Sequence, residues 1–170
     1  FTKLGQKDYA AEIAQIRASG ADAVYYFLPG GMGIAFGKQY AQSGVDTPRF
    51  GPVFSFDQTI LPAVGDSAIG IHNTTQWSLD QDNAANKKFV EGYEAAYGRL
   101  PSFYASQAYD TANLILSALE TASPSDKDAF RDAIRAASFE SVRGDFKFGT
   151  NHHPVQDVYV QKVVKRDGVL

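Results

Sequence analysis

The sequence predicts an α/β chain: a doubly wound parallel sheet first, then a helical segment, then closing strands. Three observations predict it. The hydrophobic period changes from helical over Asp8–Gly20 to a continuous apolar run over Ala23–Leu28. Strand and helix signals then alternate three times, and glycine or proline punctuates the breaks. Such alternation implies right-handed crossovers within one parallel sheet.

Asp8 caps a helix with Tyr9, Ile13 and Ile16 at helical spacing, and Gly20 provides a left-handed stop. Ala23-Val24-Tyr25-Tyr26-Phe27-Leu28 is rich in β-formers and reads as a central parallel strand covered on both faces. Pro29-Gly30-Gly31 ends it. Ile34, Phe36, Tyr40 and Ala41 mark the next helix, closed by Gly44, and a strand follows from Arg49 to Phe54. Ser55-Phe56-Asp57 forms a loop before a short helix near Gln58–Val64, and Ala68–Thr75 is the third strand. From Asn83 the pattern turns helical: Phe89, Tyr93, Ala96 and Tyr97 share a face, then Ala108, Ala112, Ile115 and Leu119, then Phe130 and Ile134 behind a Ser125 cap. Strands at Gly144–Phe148 and Asp157–Val164 close the chain. The opening Phe1-Thr2-Lys3-Leu4 reads as the tail of a strand already under way, so an amino-terminal portion is expected to be missing.

The composition is that of a globular protein: 170 residues, 44% hydrophobic and 21% charged, with a formal charge of −3. Lysine and arginine form no basic stripe or polybasic patch, which argues against nucleic acid or a membrane surface as partner. The longest apolar run is the six residues Ala23–Leu28, against the roughly 20 of a membrane-spanning helix. With no cysteine, disulfides, thiolate metal sites and cysteine nucleophiles are all excluded.

The glycine-rich run Gly30 to Gly37 lies where a phosphate loop would, between strand and helix, but its spacing fails. A P-loop would need glycine at Met32 and Ser or Thr at Gln39, and a dinucleotide fingerprint would need glycine at Phe36. What survives is a tight turn, or free amides at a helix start that suit a carboxylate. His152-His153 reads as a solvated turn, because adjacent strand residues face opposite ways and no carboxylate stands at a compact ligand spacing. Ser55 and Asp57 have no histidine placed for a triad, and no nucleophile elbow exists. No catalytic residue, metal or cofactor is therefore assigned. Aromatic residues gather at strand ends, and ligands of open parallel sheets bind there, which selects Phe27–Gly30 and Phe54–Asp57.

The order of these pieces resembles the carboxyl-terminal half of periplasmic solute-binding proteins of the branched-chain amino-acid ABC transporter type. The residues that carry it are Asp8 to Val24, Gly51-Pro52, Ala108-Tyr109-Asp110-Thr111-Ala112-Asn113 and Val142-Arg143-Gly144-Asp145-Phe146-Lys147-Phe148. The resemblance implies a type I periplasmic-binding-protein fold, two Rossmann-like parallel-sheet lobes joined by hinge crossovers that close on a ligand, only partly covered by this chain. On that basis residues 1–76 are part of the second lobe, 77–83 a crossover, 84–150 the returning part of the first lobe, and 151–170 strands back in the second. It further implies a periplasmic location, a membrane permease as partner and a monomer when intact.

In amino-acid-binding members of that family an acidic residue just after the Gly-Pro holds the ligand's ammonium group. Here that place is Val53, followed by Phe54, so a standard amino acid would leave its ammonium unpaired. By the same similarity Pro29 stands where a ligand-contacting aromatic often sits, and Tyr104 where an aromatic of the opposite lobe does. The expected ligand-binding set is Phe27, Leu28, Pro29, Gly30, Val53, Phe54, Ser55 and Tyr104, and the expected ligand an aromatic carboxylate such as a benzoate or phenylpropanoid acid. Branched-chain or other amino-acid binding, a sensory or regulatory domain of the same fold, and an α/β enzyme using Ser55, Asp57 or His152 are the competing readings.

Overall fold

The structure, a computed structural model, describes residues 1–145 and 147–170. Phe146, part of the expected strand Gly144–Phe148 and of the family-like run at Val142–Phe148, lies outside the described residues. The chain forms two compact units, one of residues 1–75 with 159–170, the other of residues 76–158.

The first unit holds a four-stranded sheet in the order β1 (Val24–Tyr25), β2 (Arg49–Pro52), β3 (His72–Thr75) and β6 (Tyr159–Lys162). The first three strands are parallel, as alternation with helices predicts, and β6 runs antiparallel to β3. Helix α1 (Ala10–Ser19) has Tyr9 at its N-cap, not the expected Asp8, which stands one residue outside and accepts at Oδ1 from Ala10 N at 3.0 Å; the helix ends on Gly20 at φ 65°. Helix α2 (Gly31–Ser43) ends on Gly44 at φ 72°. The rings of Tyr9, Phe36, Tyr26 and Phe56 form a chain of edge-on and tilted contacts that ties both helices to the sheet. Gln39 adds a polar tie, its Oε1 accepting from Tyr9 N at 2.8 Å.

Several expectations are corrected here. Within residues 1–170, Ala23–Leu28 does not form a central strand covered on both faces. Among the described residues β1 lies at the sheet edge, and burial alternates along the run: Val24, Tyr26 and Leu28 are buried, while Tyr25 and Phe27 are 70% and 56% exposed. The cause is that α1 and α2 join one core, so only one face of the strand meets it. The second strand stops at Pro52, because Val53–Ser55 winds into a 3-10 turn closed by Phe56 N donating to Val53 O at 2.8 Å. The third begins only at His72, after a 3-10 turn at Gly65–Ala68 and Gly70 at φ 89°. The short helix is reduced to α3 (Leu61–Val64). Phe1–Leu4 pair with no strand; Gly5 at φ 79° instead closes a turn in which Gln6 N donates to Lys3 O.

The second unit packs α4 (Ala84–Tyr97), α5 (Phe103–Leu119) and α6 (Lys127–Ala136) beside a two-stranded antiparallel ribbon, β4 (Lys147–Phe148) and β5 (Pro154–Val155). Asn83 and Ser102 cap α4 and α5 with their side-chain oxygens. Asp126, not Ser125, caps α6, accepting from Ala129 N at 3.0 Å; it stands one residue nearer the helix and offers a carboxylate. The residues α5 buries are Phe103, Ser106, Asp110 and Ala118, whereas Ile115 and Leu119 of the expected stripe are exposed.

The segment at 77–83 winds onto the start of α4. Trp77 Nε1 donates to Asn86 Oδ1 at 2.7 Å, and Asn86 Nδ2 donates to the carbonyls of Ser78, Leu79 and Gln81. Two of the family-like motifs also meet in this unit. Asp110, 1% exposed, accepts from Ser141 Oγ at 2.6 Å, Val142 N at 3.0 Å and Arg143 Nε at 2.9 Å. Arg143 in turn donates to Gln156 Oε1 at 2.9 Å.

Candidate ligand-binding site

The carboxyl ends of β1 and β2, with the turns that follow them, bring seven of the eight expected residues into one region of the first unit. Tyr26 N donates to Phe50 O at 3.0 Å, so the two strand ends run side by side. Gly51 permits that approach: a Cβ there would stand 2.4 Å from Tyr26 O and 2.8 Å from the Phe56 ring. Ser55 then locks the next step. Its hydroxyl, 2% exposed, accepts from Leu28 N at 3.1 Å and donates to Leu28 O at 3.2 Å. An extended chain and a 3-10 turn are thus clamped together by one side chain.

Beyond Leu28, Pro29 and Gly30 are exposed, and Gly30 takes φ 58° and ψ −133°, a conformation for which glycine is needed. α2 starts at once. Gly33 in its first turn lies so close to the strand end that a Cβ would stand 2.2 Å from Leu28 O. Ile34 N makes the first intrahelical bond, to Gly30 O, and the first turn carries no acidic residue. The amides of Gly31, Met32 and Gly33 therefore point out of an uncapped helix start, the partially positive end of the helix dipole.

The expected residues divide by side-chain exposure. Leu28, Val53 and Ser55 direct their side chains into the core, so what they present to the strand end is backbone. Phe27 is exposed and meets Phe54 edge-on, ring centroids 5.6 Å apart. The eighth residue, Tyr104, opens α5 in the second unit, half-exposed and edge-on to Phe103 at 5.6 Å.

The sequence points to Asp57 and to the run that contains Gly33, but not to their structural roles. Gly33 serves as a close-approach residue, which its place in a glycine-rich run hides. Asp57 is 1% exposed; its Oδ1 accepts from Thr59 N at 3.0 Å and Thr59 Oγ1 at 2.5 Å, while its Oδ2 is buried without a partner. His152 and His153 lie in the exposed turn between β4 and β5, as expected. Among the described residues no helix is long and apolar enough to cross a membrane.

Comparison with known proteins fits this geometry. The family profile described as "Periplasmic binding protein" matches residues 1–168. The Leu/Ile/Val-binding protein homolog 6 of Brucella melitensis biotype 1 is 31% identical over 173 residues, covering 96% of this chain and 44% of the relative. A solute-binding protein of an ABC transporter from R. palustris, solved in complex with benzoate, superposes with a TM-score of 0.92 at 31% identity, covering 99% of this chain and 46% of that one. Another from Rhodopseudomonas palustris BisB5, solved with 3,4-dihydroxy benzoic acid, gives 0.85 at 32% identity, covering 95% and 46%. The chain thus spans about half the length of the relatives it matches. Its α/β architecture is that of the type I periplasmic binding proteins, covered in part, and the chain belongs to the periplasmic binding protein family.

Proposed function

We propose that the intact protein captures a small aromatic carboxylate outside the cytoplasm, in the periplasm, and delivers it to the permease of an ABC transporter without chemical change. The observation that carries the reading is the strand-end region itself. It is apolar and aromatic at Phe27 and Phe54, has Val53 where the family resemblance calls for an acid, and offers only backbone amides as polar donors at the start of α2. A carboxylate suits such amides, and a benzoate-sized ring suits the paired phenylalanines. An α-ammonium group would find no carboxylate at the Val53 position. The two R. palustris proteins solved with benzoate and 3,4-dihydroxy benzoic acid support the same reading.

In this proposal Phe54 and Tyr104 give the ring contacts, Phe27 and Pro29 shape the wall, and Leu28, Gly30, Val53 and Ser55 contribute backbone or scaffold. The lobe assignment belongs to the same proposal: residues 1–76 and the closing strands in one lobe, 84–150 in the other, 77–83 crossing. The name of the Brucella relative favours a second reading, in which a branched-chain amino acid is the ligand. Isothermal titration of the full-length protein with benzoate, 4-hydroxybenzoate and leucine separates the two. Saturable binding of the benzoates with none of leucine is expected, and tight leucine binding without benzoate binding would overturn the proposal.

A further inference from the structure

The second unit carries an open groove that the proposed ligand region does not use. Arg131, Ile134 and Arg135 of α6 line one wall, Phe148 and His152 of the β4–β5 ribbon line the other, and the volume is about 290 Å³. Residues 131 and 135 are one helical turn apart with 134 on the same face, so the helix places two guanidinium groups around one apolar side chain. The ribbon's turn is tightly bonded. Gly149 N donates to His153 O at 2.8 Å, His152 N donates to Gly149 O at 3.0 Å, and Asn151 Oδ1 accepts from His153 N at 3.2 Å. That turn holds His152 at φ 63°, a left-handed conformation uncommon for any residue with a side chain.

We propose that this groove is a second ligand site, taking an aromatic carboxylate with its ring against Ile134 and Phe148 and its carboxylate between Arg131, Arg135 and His152. The lining combines an apolar wall with cationic donors. A neutral aromatic would not use the guanidinium groups, and an inorganic anion would not use the apolar wall. The volume, just under the roughly 300 Å³ at which small-molecule sites begin, suits a single ring with one carboxylate, partly open to solvent. Two acidic groups compete for the cations: Asp128 accepts from Arg131 at 2.8 Å and Asp132 from Arg135 at 3.1 Å. Each pair uses one nitrogen of a guanidinium group that carries five N–H donors, so a bound carboxylate still has donors to meet. All of these residues lie in α6 and the ribbon, so the site stands whatever ligand the strand-end region takes.

The test is titration of the full-length protein with 4-fluorobenzoate, followed by ¹⁹F NMR and calorimetry. A binding event that weakens at least tenfold in the Arg131→Gln/Arg135→Gln variant is expected, since charge-assisted hydrogen bonds are lost. The Asp128→Asn/Asp132→Asn variant, which removes the competing carboxylates, tightens the same event about two- to threefold. Circular dichroism melts check that both exposed pairs leave the fold intact. The absence of any fluorobenzoate event responsive to the arginine pair overturns the proposal, as does equal competition by chloride at matched ionic strength. Failure of the strand-end reading looks different: leucine then binds with unchanged affinity in the arginine variant, while the arginine-dependent fluorobenzoate event persists.

Discussion

Replacing Ser55 by alanine separates a scaffold role from a ligand role at the strand-end region. The hydroxyl is 2% exposed and makes two bonds, both to the Leu28 backbone, at 3.1 Å and 3.2 Å. Alanine removes both and strands a buried N–H and a buried carbonyl, since the Gly33 backbone packs against Leu28 O without offering it a donor. A net hydrogen bond is worth about 1 kcal/mol, and a buried group left unsatisfied costs about 1–3 kcal/mol. The expected loss is therefore about 2–3 kcal/mol, which lowers Tm by roughly 4–12 °C for a cooperative domain of about 150–250 residues. Thermal melts of the full-length wild-type and Ser55→Ala proteins, each with and without saturating ligand, measure it. Affinity for benzoate should fall modestly, and by the same factor for ring-substituted benzoates, because Leu28 and the α2 start shift together. An unchanged Tm together with a large, carboxylate-specific loss of affinity would refute the scaffold argument and make Ser55 a direct contact.

Two further predictions concern buried ionisable groups. Asp110→Ala removes the buried carboxylate to which Arg143 Nε and the Val142 amide donate, so a loss of about 3–5 kcal/mol is expected in urea unfolding. The double variant Asp110→Ala/Arg143→Ala should lose less than the sum of the two single variants, and strict additivity would show that the pair is not coupled. Tyr26 is pushed up to about 12 by burial, with Arg49 opposing the shift. Its folded-state pKa lies above the unfolded value near 10, so its contribution is complete below pH 10 and is lost as pH rises through 12. Unfolding free energy should therefore fall more steeply between pH 10 and 12 in the wild type than in Tyr26→Phe, and parallel curves would contradict the assignment.

How much of this was legible depended on whether the governing interaction was local. Helix ends were readable because Gly20 and Gly44 adopt the left-handed conformation that glycine alone takes cheaply. The parallel order of the first three strands followed from alternation with helices. Strand lengths were not readable, because Pro52 and the 3-10 turn after it end β2 through a bond from Phe56 N to Val53 O, which no periodicity encodes. The same limit applies to Ala23–Leu28. Six apolar residues in succession look alike in sequence whether one face or both are covered, and the side chains of Tyr25 and Phe27 carry no mark of their exposure.

The candidate site repeats the lesson at the level of single atoms. Residue type located Phe27, Phe54 and Val53, since aromatic content and the missing acid after Gly51-Pro52 are visible as letters. What holds them in place is not visible. The Ser55 hydroxyl reaches 27 residues back to Leu28, and the Asp110 carboxylate reaches 31 to 33 residues forward to Ser141, Val142 and Arg143. Polar side chains that satisfy distant backbone are chosen for geometry, and serine or aspartate in a loop reads equally well as a turn former or a catalytic group. For Ser55 the structure supports the scaffold reading, because both hydrogen-bonding roles of its hydroxyl are already taken by one residue. A nucleophile needs that proton to be within reach of a base, so a hydrolase built on Ser55 would first have to break the clamp that shapes its own site.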